Sequence, residues 1–414
     1  MDRQVPDWID GYLELTDNSE PPVSFRMWAA IHTLAAVLQR KCVLPWGPLS
    51  FYPNLYIVLI APPGAARKGT ALGPALDFLT EPELGIKLAA EAITREALIR
   101  ELKNANETVI NPFTGEMTFH SSLTIHSQEL TVFLGYQNSQ LMSDLVDWFD
   151  CRKRWTYRTK WSGTDEIIGV WVNLIGATTP DLIQTSLPID SIGVGLTSRM
   201  IFVYEERRGK SVADPFLSQR EKDLRIMLLH DLERIKLLSG AFKVSADFIE
   251  FWLEWYPKQE IYRPFEDVRF GGYFERRPTH IMKLSMLVNV ARTDKMLITR
   301  LDLERAIRIL DFTEKKMFYT FRGVGKSPYA SVLTKIMNFI GMKRQTSVNE
   351  IMTFFVRDVT KQDLDKVLES IQMMKYCKIY HDGRVEYNTE YEGVYAQKSN
   401  TEDDLNELFN KGDD

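Results

Sequence analysis

The sequence predicts an α/β protein: a doubly wound layer of strands and helices, a helical subdomain after it, and a small module of three helices and a hairpin near the C-terminus. Three observations carry this. Residues 55–60, 121–126, 170–175 and 200–204 are short apolar runs of the kind that form strands buried on both faces, with helical patterns between them. Residues 215–325 then lose strand character almost entirely. Residues 328–391 compress three helical patterns and a hairpin into one compact stretch.

Bulk properties bound the classes open to the chain. At 414 residues it exceeds what one hydrophobic core usually organises, so about two or three domains are expected. Hydrophobic residues at 44% and charged residues at 26% fall in the ordinary soluble range. No apolar run reaches the ~20 residues that span a bilayer, and the opening Met1-Asp-Arg-Gln-Val-Pro6 lacks the pattern of a secretory signal; no membrane partner and a cytoplasmic location are the expectations. Cys42, Cys151 and Cys377 are odd in number and far apart, which points to a reducing compartment rather than a disulfide framework. The six histidines are scattered and show no HExxH spacing, which argues against a metal site built by the protein alone and leaves open a metal that arrives with a nucleotide. A net charge of −5 argues against a protein that coats nucleic acid non-specifically. One segment runs against that balance: Cys151-Arg-Lys-Arg-Trp-Thr-Tyr-Arg-Thr-Lys-Trp161 holds five bases, no acid and three aromatics.

The elements follow in order. Residues 1–50 read as a helical N-terminal segment: Trp8, Ile9, Tyr12 and Leu13 share a helix face, Pro21-Pro22 interrupts, residues 25–41 form an apolar helix, and Pro45-Trp-Gly-Pro48 reads as a loop. Residues 51–214 form the layered core, its first helix starting near Gly69 and another spanning 92–104. Helices over 222–238, 246–255, 278–291 and 301–317 fill residues 215–325, with Thr299 or Asp302 capping the last. In 328–391, helices at 328–339, 347–355 (capped by Thr346) and 361–374 (capped by Thr360) precede strands at 378–380 and 384–387, joined through His381-Asp-Gly383 in a type I′ turn. The acidic tail, 392–414, reads as disordered.

The sharpest chemical signal is Ala61-Pro-Pro-Gly-Ala-Ala-Arg-Lys-Gly-Thr70, which leaves a predicted strand and opens a helix. That is the setting in which backbone N–H groups and a helix N-terminus cradle phosphates. Gly64, Ala65, Ala66, Arg67, Lys68, Gly69 and Thr70 are the candidate nucleotide-binding residues, with Lys68 reaching the β- and γ-phosphates and Thr70 offering a hydroxyl to Mg²⁺. Ala61 and Arg67 stand where glycines are usual, and the loop is one residue longer than usual; a Pro-Gly turn with a surface lysine is the plainer reading.

Three further positions follow strands or precede one. Leu123-Thr-Ile-His-Ser-Gln-Glu129 ends a buried strand in an acid, so Glu129 suits a water-activating base and Gln128 stands where a metal-anchoring Asp is usual. Trp171-Val-Asn-Leu-Ile-Gly-Ala-Thr-Thr-Pro180 ends a strand in paired hydroxyls, of which Thr179 fits a γ-phosphate contact or an ordinary cap. Gly193-Val-Gly-Leu-Thr-Ser-Arg-Met-Ile-Phe202 puts Arg199 at the foot of a strand, where an always-charged fork suits a phosphoryl group and equally a structural ion pair.

As an ordered set, APPGAARKGT, IHSQEL, NLIGATTPD, GLTSRMIF and ERRPTHIMKLSM resemble the phage- and plasmid-borne P-loop ATPases of the AAA+ class that are similar to minichromosome maintenance helicases, over roughly residues 25–325. The resemblance implies a P-loop NTPase core of AAA+/RecA-like type, a helical lid, and ATP sites between subunits of a ring, with a C-terminal winged helix-turn-helix completing the chain. By position it implies that Lys68 and Thr70 belong to Walker A, Glu129 to Walker B, Thr179 to sensor 1, Arg199 to a trans arginine finger and Arg276, with Arg277 competing, to sensor 2. ATP and Mg²⁺ are the implied cofactors.

The basic segment gains a role in the same way. Residues 156–160 and 166–170 read as a hairpin before the third strand, and in the helicases it resembles such a hairpin holds DNA in the ring pore. Arg158, Lys160 and Trp161 are the candidate DNA contacts: cations neutralise phosphates and an indole stacks on a base. A solvated hairpin is the alternative. The helix at 361–374 carries mixed charge, so the winged helix is open to DNA or protein contact. The expected function is an ATP-dependent, hexameric DNA helicase or translocase in phage or mobile-element replication, with a primase or polymerase as a possible partner. The rivals are an ATP-switched loader or initiator that does not unwind, and a small-molecule phosphotransferase resembling nucleoside monophosphate kinases.

Overall fold

The computed structural model describes residues 2–110, 115, 117–135, 138–159, 163–187, 195–321, 330–356 and 358–389. They divide into two units, Met1–Thr320 and Phe321–Asp414. The N-terminal segment, the layered core and the helical subdomain read from the sequence therefore belong to one unit.

The chain begins with α1 (Trp8–Leu15) and α2 (Val23–Leu38). Every residue of α2 from Ser24 to Leu38 is buried, as a helix that is apolar all round must be. The stretch read as a Pro/Gly loop is instead a small hairpin, β1 (Cys42–Trp46) and β2 (Leu49–Phe51), turning at Gly47 with φ 56°. Then come β3 (Tyr56–Ile60), α3 (Lys68–Leu79), α4 (Arg95–Asn104), β4 (Asn106–Ile110), β5 (Met117–Ser127), α5 (Leu130–Leu134), α6 (Ser139–Phe149), β6 (Arg154–Thr159), β7 (Gly163–Ile168), β8 (Val170–Thr178), α7 (Pro180–Ser186) and β9 (Met200–Tyr204).

These strands build a central mixed sheet in the order β4-β5-β8-β3-β9. β5, β8, β3 and β9 are parallel, and all five residues of β3 are buried between its neighbours. These four are the strands read from the sequence; β4 adds a fifth, pairing antiparallel with the first half of β5, from Asn106↔Ser121 to Ile110↔Met117. Leu88 forms a parallel bridge to Thr124 along the second half of β5. β4 and the outer part of β5 escaped notice because this hairpin is largely exposed and lacks a continuous apolar run.

The rest of the first unit is α8 (Gln219–Lys236), β10 (Gly240–Ala241), β11 (Lys243–Val244), α9 (Ala246–Trp255), α10 (Gly271–Arg292), β12 (Leu297–Ile298) and α11 (Arg300–Met317). The three two-residue strands are an addition to the helices expected: β10 joins β1, and β11 pairs with β12. Helix α10 starts well before Pro278, which lies inside it, because Tyr273, Phe274 and Arg277 are already buried upstream. At the start of α11, Thr299 is the N-cap and Asp302 the third residue, its carboxylate accepting from the Thr299 N–H and hydroxyl at 2.9 and 3.0 Å.

The second unit contains α12 (Ala330–Lys343), β13 (Gln345–Ser347), α13 (Val348–Phe354), α14 (Lys361–Met373), β14 (Cys377–Ile379) and β15 (Arg384–Tyr387), around a core that includes Ile336, Ile340, Ile351, Leu364, Ile371 and Val385. Its sheet has three strands, β13-β15-β14. Thr346 and Ser347 both pair in that sheet, and the cap of α13 is Ser347, whose hydroxyl accepts from the Glu350 N–H, while the Thr346 hydroxyl donates to the Glu350 carboxylate at 2.7 Å. Thr360 does cap α14. The turn before β15 is not type I′: Gly383 has φ 83°, while His381 and Asp382 are absent from the positive-φ residues that such a turn requires.

Candidate active site

β3 ends at Ile60, level with Thr178 on one side and Tyr204 on the other. The chain leaves the sheet there, with the Ala61 N–H donating to the Thr178 carbonyl at 3.4 Å. Gly64 (φ 69°) makes the turn, closed by the Ala65 N–H on the Pro62 carbonyl at 3.2 Å. Arg67 is left-handed, φ 53° and ψ 43°, immediately before α3. A side chain in that conformation costs about 1–2 kcal/mol, which explains why glycine is the usual occupant.

Lys68 opens α3 and is half-buried, and its ammonium donates to the Ala61 carbonyl at 2.8 Å and the Pro62 carbonyl at 3.4 Å. Burial lowers its pKa from the ordinary lysine value, and the Glu129 carboxylate opposes that shift. Ala65 is half-buried and Ala66 buried, whereas Gly64, Arg67, Gly69 and Thr70 are exposed. The loop thus presents cations and the open N-terminus of a twelve-residue helix together.

Sheet register brings the other strand-end candidates to the same edge. β5 ends with Ser127 level with Gly176, so Gln128 and Glu129 emerge beside the loop. A side-chain carbon added to Gly69 would lie 3.5 Å from the Gln128 amide oxygen. Glu129 is exposed at the start of α5. Thr179 follows β8 and caps α7, its hydroxyl accepting from the Leu182 N–H at 3.3 Å. The carboxyl edge of a parallel sheet, where Lys68, Gln128, Glu129 and Thr179 meet, is where open α/β sheets bind ligands.

Arg199 and Arg276 are elsewhere. Arg199 immediately precedes β9, whose first residue pairs with Tyr56, so roughly 20 Å of strand separates it from the loop. It is 6% exposed and donates to Asp150 at 2.8 Å and to the Gly195 carbonyl at 3.0 Å. Arg276, half-buried on α10, approaches the other oxygen of Asp150 at 3.8 Å. Burial lowers its pKa, and the neighbouring Arg199 charge adds to the effect. Arg277, the competing choice, is buried and donates to Glu314 (2.8 Å), Asp311 (2.5 Å) and Gln259 (2.5 Å) inside the unit.

β6 and β7 form the expected hairpin with its strands starting two and three residues earlier than read, running from Arg154↔Ile168 to Thr159↔Gly163. Lys160 and Trp161 lie outside the described residues. Arg158 is exposed and donates to the Thr164 hydroxyl at 2.9 Å. Much of the basic segment is already paired: Arg152 with Asp147 at 3.0 Å and Arg154 with Glu166 at 2.8 Å. Trp155 is buried against Trp148 and anchors the hairpin.

The β4–β5 hairpin was missed. Its root meets that of β6–β7 at Gly169 (φ 63°), where an added side-chain carbon would lie 2.5 Å from the Phe119 carbonyl oxygen. Ile110, Met117 and Phe119 are exposed on it. The turn residues of Asn111-Pro-Phe-Thr-Gly115 between two β-rich stretches were the available signal.

Among the described residues no group of three or more His, Cys, Asp or Glu is arranged to hold a metal ion, and no helix is long and apolar enough to cross a membrane. Comparison of the sequence with protein-family models and with curated proteins finds no match to either.

Proposed function

We propose that the chain is an ATP-hydrolysing P-loop motor of the AAA+ type that assembles head to tail, as a hexamer, and moves along or unwinds DNA. The observation that carries the reading is Lys68 in the first turn of a helix that directly follows the central buried strand, with Glu129 emerging two strands away on the same edge. Lys68 binds the phosphates, the N–H groups from Gly64 to Thr70 surround them, and Glu129 orients and deprotonates the attacking water. The donor set here is one carboxylate, an amide and a hydroxyl, which suits Mg²⁺ delivered on a nucleotide and held through Thr70 and Gln128. Bound there, the ion would neutralise charge on the phosphates.

The second support is the separation of the two edges. Arg199 and Arg276 are too far from the loop of their own chain to touch its phosphates, and they sit together, as a pair serving a neighbour's site requires. Arg158, Lys160 and Trp161 on the hairpin are the proposed DNA contacts, and the C-terminal unit, read as a winged helix, serves loading or partner choice. ATPase assays of wild type, Lys68→Ala and Glu129→Gln, with and without DNA, test the core of this. Hydrolysis that survives both substitutions sinks it. DNA-stimulated hydrolysis without strand separation on a forked duplex favours the loader or initiator reading, and hydrolysis indifferent to DNA favours a phosphotransferase.

A further inference from the structure

Three segments meet on one carboxylate beside the loop. Glu20, from the turn between α1 and α2, accepts from Arg67 Nε at 2.6 Å through one oxygen and from Arg208 Nη1 at 2.8 Å through the other. The Glu20 carbonyl accepts from the Gly209 N–H at 3.0 Å. Gly209 packs tightly there: an added side-chain carbon would lie 3.2 Å from Pro22 Cα. A backbone hydrogen bond thus ties Glu20 to the chain at Gly209, while the two arginine side chains on its carboxylate are about half exposed, 45% each.

Arg67 stands directly before Lys68 in a conformation that disfavours a side chain, and its guanidinium extends to Glu20. Lys68 in the same state directs its ammonium at the carbonyls of Ala61 and Pro62. Both cations of the loop are thus held by protein oxygens of lower charge than a polyphosphate. A guanidinium fork fits a phosphate as well as a carboxylate, and Arg208 keeps Glu20 paired when Arg67 leaves. We propose that Arg67 is a further triphosphate-binding side chain, held in reserve by Glu20 until a nucleoside triphosphate takes it over. This rests on the nucleotide reading of the loop given above.

The test is displacement of a fluorescent ATP analogue by ATP and by ADP, on the full chain, with thermal melting as the folding control. Arg67→Ala weakens ATP binding by about tenfold, the worth of one charge-assisted contact. Glu20→Gln tightens it several-fold by removing the competing acceptor, and Glu20→Gln combined with Arg67→Ala binds like Arg67→Ala alone. An Arg67→Ala variant that binds as wild type overturns the proposal. So does tightening by Glu20→Gln that persists without Arg67, which would assign the effect to Arg208 or to general charge. Binding by wild type that Lys68→Ala abolishes shows that such a failure concerns Arg67 alone; no binding by wild type removes the nucleotide reading itself and this proposal with it.

Discussion

Arg199 donates to Asp150 at 2.8 Å at the end of the sheet opposite the loop that carries Lys68. Asp150 follows α6 and Arg199 precedes β9, so the pair ties a helix end to a strand start. Arg199→Ala leaves Asp150 with the more distant Arg276, and a loss of about 1–2 kcal/mol is expected for a pair with one buried and one partly exposed member. The measurement is a denaturant midpoint. Under the interface reading the variant also keeps ATP affinity but loses hydrolysis, and mixing it with Glu129→Gln chains recovers part of the rate. No recovery in mixtures shown to co-assemble leaves Arg199 a purely structural residue.

Lys68→Ala removes an ammonium whose hydrogen bonds go to two loop carbonyls. Its melting temperature should stay near that of wild type while ATP binding disappears. Retained binding, read by equilibrium dialysis with labelled ATP, places the phosphates elsewhere.

Neutralising Arg158 and Lys160 together should lower DNA-stimulated hydrolysis and leave the basal rate unchanged, since the hairpin precedes the opposite end of β8 from Thr179. The salt dependence of DNA affinity should also become shallower, by about one logarithmic unit per lost phosphate contact at most. A variant that unwinds and binds like wild type, beside a truncation of residues 328–414 that loses all DNA binding, moves the DNA site to the C-terminal unit.

Acid should destabilise the first unit through its buried imidazoles. Burial holds His120 and His126 down to about 4 and His280 to about 3, with His32 also well below its ordinary value. A depressed folded-state pKa means that the unfolded chain takes up protons first. Stability is therefore full above about 6.5 and falls as pH drops toward 4. Among the described residues neither ring nitrogen of His126 has a hydrogen-bond partner. His126→Leu should consequently flatten the fall without loss at neutral pH. Melting curves between pH 7 and 4.5 decide this, and an unchanged slope in the variant removes His126 from the account.

The loop of residues 61–70 was legible because strand, turn and helix are consecutive, so its geometry is written locally. The choice between Arg276 and Arg277 was not. Adjacent helix positions face about 100° apart, and only the distant Glu314 decides which one turns inward. The cap of α13 failed for a related reason: Thr346 and Ser347 are both competent caps and both lie in β13, and only the start of the helix at Val348 makes Ser347 the N-cap. The Arg67–Glu20 contact spans 47 positions and follows from no pattern. What adjacency encodes could be read; what depends on two distant segments meeting could not.

The three thiols have a use that their burial creates. Cys42 and Cys151 lie within the first unit and Cys377 within the second, all buried. Desolvation raises the thiol of Cys42 to about 12 and that of Cys377 to about 11. A thiol reagent attacks the thiolate, so at neutral pH these sulfurs should stay silent until the structure around them opens. Labelling rates followed by mass spectrometry then act as two stopwatches in one chain, timing each unit's excursions from the native state without an introduced probe.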